Sequence, residues 1–383
     1  VALADARPVA DILASATKGG EVSAGDWQLL AYYSWATDRG RMVPANDRVA
    51  TFRTLSERCP VEMKPDCARL YFEYLGALGE AAGDDPKVVT GLERAAARRQ
   101  VLELLSSPAV ARANADNLLY GPKDVIALLS DAGTPERGEL TKAWGEALDR
   151  LAQDSGAALS APETLNLLRA RVLLAELDAP DAPLPPALLE EIRRGVATVD
   201  ARTTDPYARQ AAINAAAGVY WEAGLDADAN TLLVAELEKS KSPYYFMLDL
   251  ADLAEKAGRK QEAVEWLARA YDGAQGPATR FQWGYSYLVG LLEMTPEDAA
   301  TIERTGLKLI GELGQSPDAF YQRTRMRLEQ LSAKLLEWGE AGDRAKVITT
   351  LRGRAQEICK GLPDGDEGRQ NCERFLKPAA TST

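Results

Sequence analysis

The chain has 383 residues, 46% hydrophobic and 27% charged, with a formal net charge of −12. That composition supports a large buried core and excludes a disordered or collagen-like chain, and the acidic balance argues against a nucleic-acid or anionic-membrane surface as its main business. Histidine is absent, which removes His-dependent triads, histidine zinc sites and imidazole proton relays, and no apolar run approaches the roughly 20 residues of a membrane span.

From the start, apolar residues recur at three and four positions, and period-two alternation bounded by turns is hard to find, so an all-α chain of some fifteen or more helices is expected. Val1 to Arg7 are mostly good helix formers with no capping residue ahead of them. They read either as a start in mid-helix or as an Ala-rich processed terminus. Ser23-Ala24-Gly25-Asp26 signals a helix start, and the following Trp27, Tyr32, Tyr33 and Trp35 are expected mostly on one helix face, as core. Further start signals are Thr134-Pro135, Ser160-Ala161-Pro162-Glu163 and Thr295-Pro296-Glu297-Asp298. The basic segment Arg94 to Arg99 and the run Arg323, Arg325 and Arg327 read as outer faces of amphipathic helices.

Cys59 and Cys67 bracket a turn containing Pro60 and Pro65, and Cys359 and Cys372 bracket another rich in Gly and Pro. Local disulfides would each staple two neighbouring helices, constraining the unfolded chain by about 2 to 3 kcal/mol in the loop-entropy view, and would place the protein in the periplasm or outside the cell. Buried free thiols and a redox-active pair are the rival readings, the latter without a C-x-x-C spacing to support it.

Asp178 to Pro186 carries four prolines and forms a stiff connector. It divides an N-terminal helical-hairpin lobe (1–178) from a C-terminal one (187–383) across residues 179–186, or else is a long turn between stacked hairpins. Beyond it, aligning Gly224 with Gly258 gives a 34-residue period, the tetratricopeptide length, and Pro243 and Pro277 keep the same spacing. Ile213 and Met247, Ala216-Ala217 and Leu250-Ala251, Ala229 and Ala263, and Leu233 and Leu267 then fall at matching positions; Glu236 against Ala270 degrades the first copy. The architecture expected is a right-handed superhelix of antiparallel hairpins, in which each pair hides its apolar stripe on its neighbours.

Aromatic residues crowd from Tyr244 to Tyr287. Tyr244, Tyr245, Phe246, Arg280, Trp283 and Tyr287 are the candidate binding residues for a peptide or sugar, with core packing the competing use. Acid pairs such as Glu190-Glu191, Glu236 with Glu238, and Glu337 with Glu340 offer two carboxylates for glycoside hydrolysis, but on charged helical stretches they read as solvated faces. No phosphate-loop, dinucleotide, nucleophile-elbow or metal-spaced motif occurs, so no catalytic residue and no cofactor is expected.

The phrases Asp26-Trp27-Gln28-Leu29-Leu30-Ala31-Tyr32-Tyr33-Ser34-Trp35, Lys239-Ser240-Lys241-Ser242-Pro243-Tyr244-Tyr245-Phe246-Met247 and Gly276-Pro277-Ala278-Thr279-Arg280-Phe281-Gln282-Trp283-Gly284, with the Cys359 to Cys372 segment, resemble the helical region that follows the thioredoxin domain in exported proteobacterial thioredoxin-family proteins. The resemblance covers nearly the whole chain. It implies that Val1 to Ile12 joins a preceding thioredoxin-domain helix, and that the partners are proteins or peptides, among them the adjacent thioredoxin domain and its clients. It transfers no redox residue, because the family's C-x-x-C is missing here. A substrate-docking module is the function it implies, with a glycan or cell-wall hydrolase or a structural oligomerisation module as alternatives.

Overall fold

A computed structural model describes residues 7–38, 40–154, 159–180, 182–315 and 320–377. Among them the chain is all-α, with no strand, and its helices pack largely in consecutive pairs. No described helix is long and apolar enough to cross a membrane. The chain forms two compact units, Val1–Leu225 and Asp226–Thr383.

The first unit contains α1 (Val9–Lys18), α2 (Ala24–Ala31), α3 (Trp35–Asp38), α4 (Arg48–Arg58), α5 (Lys64–Asp84), α6 (Gly91–Ser106), α7 (Pro108–Ala113), α8 (Ala115–Tyr120), α9 (Pro122–Leu129), α10 (Pro135–Gln153), α11 (Ala161–Glu176), α12 (Pro186–Arg202) and α13 (Pro206–Glu222). Its core is built on α5 and α10, whose apolar residues repeat at helical spacing. Leu140, Trp144, Ala147, Leu148 and Leu151 of α10 are all buried. Trp144 is fully enclosed; its indole donates to the Leu118 carbonyl at 3.0 Å and its ring meets Phe72 edge-on. The α4–α5 turn carries Cys59 and Cys67, paired across it with Cα atoms 5.6 Å apart.

Several expectations are corrected here. Ser23 and Ser160 form capping boxes with Asp26 and Glu163, Thr134 caps the start of α10 ahead of Pro135, and Thr90 with Glu93 adds a third box outside the expected start signals. The Trp27 to Trp35 run is not one helix. α2 stops at Ala31, and Trp35 opens α3 with its indole donating back to the Leu30 carbonyl at 3.0 Å. Trp27 and Trp35 are core, whereas Tyr32 is exposed beneath the Arg69 guanidinium. Arg94 and Arg98 are not simply an outer face: they donate to the Leu128 and Leu129 carbonyls and so close the C-terminus of α9. As for the expected mid-helix start, residues 1–6 lie outside the described residues and α1 begins only after Pro8.

The proline-rich connector is the long turn, not the boundary between compact units. It joins α11 to α12, which pack on each other and both on α13. Three charged links hold this arrangement: Arg137 to Asp178 at 3.0 Å, Arg171 to Glu191, and Arg169 to Glu222 at 2.8 Å. Pro186 opens α12, where a proline's missing N–H costs nothing. Asp181 lies outside the described residues.

The second unit contains α14 (Asp226–Glu236), α15 (Tyr244–Lys256), α16 (Lys260–Gly273), α17 (Pro277–Met294), α18 (Ala299–Leu313), α19 (Gln322–Gly339), α20 (Arg344–Lys360) and α21 (Glu367–Arg374). Its pairings follow a solenoid rule: α15 packs on α16, α16 on α17, α17 on α18, and then α17 on α19 and α18 on α20. Small residues permit the close approach. Ala251, Ala254, Ala263 and Ala270 are all buried, and a Cβ on Gly284 of α17 would come within 2.9 Å of the Tyr271 ring and 2.7 Å of Leu309. The start of α18 is capped by Asp298 rather than by Thr295, so the expected Thr295 signal lies one turn early. Glu236, read as part of a solvated face, is buried and sits 3.6 Å from Lys239. Cys359 and Cys372 are paired, holding α21 to α20 with Cα atoms 5.6 Å apart.

Candidate functional site

The 34-residue period has a physical counterpart. Gly224 and Gly258 both adopt positive φ, at 68° and 74°, at the ends of α13 and α15. In both turns the glycine N–H donates to the residue three before it and the next N–H to the residue five before that one, the Schellman closure that glycine alone enters without strain. This closure and the buried alanines fix which face of α15 remains uncovered. Tyr245, Asp249 and Asp252 lie at i, i+4 and i+7 and therefore share that face.

At its N-terminal end, Tyr245 is 39% exposed and its ring stands edge-on to Trp283 of α17 at 5.2 Å. Tyr244 lies 5.0 Å from Tyr245 and 6.1 Å from Trp283, which makes a three-ring cluster. Trp283 is buried, and its indole N–H has no hydrogen-bond partner among the described residues.

At the other end are two aspartates with no ion-pair or hydrogen-bond partner among the described residues. Loss of hydration, assisted by the neighbouring charge of Asp252, pushes the half-buried Asp249 carboxyl up to about 7. Asp252 is reached by solvent yet still lies deep enough for desolvation, then Glu255, to raise it above the usual carboxylate range. Lys256, one turn further on, bonds Asp226 at 2.8 Å. Two acids projecting from one ridge face a ligand from one side. They do not flank a bond as a hydrolytic pair must, so the arrangement suits binding of a cation better than glycoside cleavage.

The structure therefore brings together Tyr244, Tyr245 and Trp283 of the expected binding residues and puts the others to different uses. Phe246 is fully buried. Arg280 clamps α16 to α18: it holds Glu312 through two nitrogens at 2.6 and 3.2 Å, donates to the Ala274 carbonyl at 3.1 Å, and stacks over Tyr271. Tyr287 is half-buried against Tyr271, 6.4 Å away, and burial raises its phenol. Among the acid pairs, Glu191 is bound to Arg171, and Glu337 and Glu340 are exposed. Arg325 lies 3.8 Å from Glu329 and Arg327 stacks on Tyr285, while the side chain of Arg323 lies outside the described residues. Among the described residues no group of three or more potential ligands is placed to hold a metal ion.

Asp249 and Asp252 are not among the acid pairs singled out in the sequence, which are all glutamates one to three positions apart. A usable signal was present: Asp249 has no Lys or Arg three or four positions away, so its helix offers it no counter-ion. No protein-family model matches the chain, and no curated protein matches it in sequence.

Proposed function

We propose that the chain is a protein-docking module whose α15 face binds a lysine- or arginine-bearing segment of a partner protein. The observation that carries this reading is the pair of unpaired, desolvated aspartates on the face that also exposes Tyr245. Folding with uncompensated carboxylates costs stability, and a bound cation would recover it, so the cost is tolerated where a ligand supplies the charge. Tyr245 adds a flat ring for the apolar stem of the same side chain or for cation–π contact.

The resemblance to helical regions beside exported thioredoxin domains supplies a setting: a docking surface tethered to a weakly selective oxidoreductase raises the local concentration of chosen clients. The pairing of Cys59 with Cys67 and of Cys359 with Cys372 supports an oxidising compartment such as the periplasm.

The test is titration of the full chain with an unstructured lysine-rich peptide and with its glutamate counterpart at low ionic strength. The lysine peptide should bind, and Asp249→Asn with Asp252→Asn should weaken it by about tenfold or more. Equal binding of both peptides, or an unchanged affinity in the double variant, would sink the docking reading.

A further inference from the structure

A second site lies at the other end of the same unit. Between α19 and α21 is a pocket of about 350 Å³, at the lower end of the range of about 300 to 1,000 Å³ that takes small organic ligands. Its walls are Phe320, Leu328, Ala333, Leu336 and Phe375. The two uncharged polar side chains in the lining each already hold one partner: Asn371 donates to the Phe320 carbonyl at 3.0 Å, and Ser332 accepts from the Leu376 N–H at 2.9 Å. The interior therefore has little to offer a polar molecule.

The mouth differs from the walls. Arg325, Arg374 and Lys377 line it together with a single acid, Glu329, which lies 3.8 Å from Arg325. The exposed side chains of Arg374 and Lys377 take no hydrogen-bond or ion-pair partner among the described residues. On a chain of net charge −12, an apolar pocket rimmed by three cations and one acid is a local reversal of sign.

We propose that this pocket binds a single-chain alkyl carboxylate, with its tail against Leu328, Leu336 and the two phenylalanines and its head at Arg374 and Lys377. An apolar body with one anionic end matches what the walls and the mouth separately require. A free amphiphile is favoured over a bilayer because the large exposed apolar side chains of the described chain, such as Val61, Leu92 and Tyr207, all lie elsewhere, and none rims this pocket to enter a membrane.

The experiment is calorimetric titration of the full chain with dodecanoate below its micellar concentration, with dodecanol as the uncharged comparison. One site per chain is expected, with dodecanol bound about tenfold or more weakly. Ala333→Trp, which fills the pocket from the surface of α19, should abolish binding with the helical circular dichroism retained. Arg374→Glu with Lys377→Glu should remove the preference for dodecanoate while leaving dodecanol binding in place, which separates a lost head contact from a lost fold. The proposal is overturned if dodecanoate does not bind, or if its binding is indifferent to Ala333→Trp. It is also overturned if the wild-type chain binds only after truncation behind Lys377, since the chain's own end is then the occupant. Sedimentation showing a dimer that Ala333→Trp dissolves would overturn it too, by assigning the pocket to a second copy.

Discussion

At the scale of single residues, Asp249 sets function against stability. Its carboxyl titrates at about 7 in the folded chain and near 3.8 when unfolded, so between these values the folded state holds a proton that the unfolded state has released. Stability is therefore undiminished below about pH 4, falls as the pH rises from there to about 7, and stays reduced above it. Asp249→Asn cannot ionise. In urea unfolding it should match the wild type at pH 4 and exceed it at pH 8 by about 1 to 2 kcal/mol, a figure reduced from the full linkage value because the group is only half-buried. A variant that is less stable at pH 8 would show that the carboxylate is paired rather than stranded. Gly284 gives the opposite kind of expectation: Gly284→Ala would drive a methyl group into the Tyr271 ring and Leu309, and should cost about 1 to 3 kcal/mol in the same assay. Neither residue stands out in the sequence. A helical glycine and a lone aspartate read as ordinary until the neighbouring helix is in place, whereas the large aromatic rings of Trp27 and Trp35 are legible as core in the sequence itself.

At the scale of helices, what the sequence discloses is what a helix decides for itself. Capping boxes at Ser23 and Ser160, proline at the first turn of α10, α12 and α17, and the repeated glycine turns at 224 and 258 depend on residues within one turn of each other, so they can be read without tertiary knowledge. The arginines of α6 were not legible, since their partners are carbonyls some thirty residues away at the end of α9. The short helix α21 shows how a distant link can matter more than local propensity. Its eight residues are too few to stand alone, and it is held to α20 by Cys359 and Cys372, 13 positions apart. Replacing both cysteines with alanine should lower the stability of the second unit by about 2 to 3 kcal/mol, the entropy regained by opening so short a loop. Thermal unfolding of this variant should resemble that of reduced wild type. A variant unaffected in the oxidised assay would mean that apolar contacts of Phe375 and Leu376 hold α21 without the link.

At the scale of the whole chain, the sequence left the proline-rich segment as either a lobe boundary or a long turn, and the contacts make it the turn, because composition marks where a chain is stiff and not where contacts thin out. The four prolines around residues 180–186 look like a linker, yet α11, α12 and α13 pack together across them, and Arg169 reaches across to Glu222 and Arg171 to Glu191. The boundary falls instead at Leu225, inside the first copy of the 34-residue period, where nothing in composition changes. Two fragment pairs discriminate these divisions. Cutting after Leu225 leaves the second unit's large core cluster, Tyr244 to Leu376, within one fragment, and the fragment 226–383 should give a helical circular dichroism spectrum and a single cooperative melt. Cutting after residue 178 strips α11 of α12 and α13, including the Gly195 turn of α12 that lies against Leu168, and leaves α12 and α13 without their support; the fragment 1–178 should melt broadly and expose apolar surface to a hydrophobic dye. If 1–178 instead melted as sharply as 1–225, the contacts of α11 with α12 and α13 would be dispensable, and the proline-rich segment would be a true boundary. The cooperative melt of 226–383 has a further use: that fragment carries both the α15 face and the α19–α21 pocket, so each binding test can then be repeated on it without the first unit.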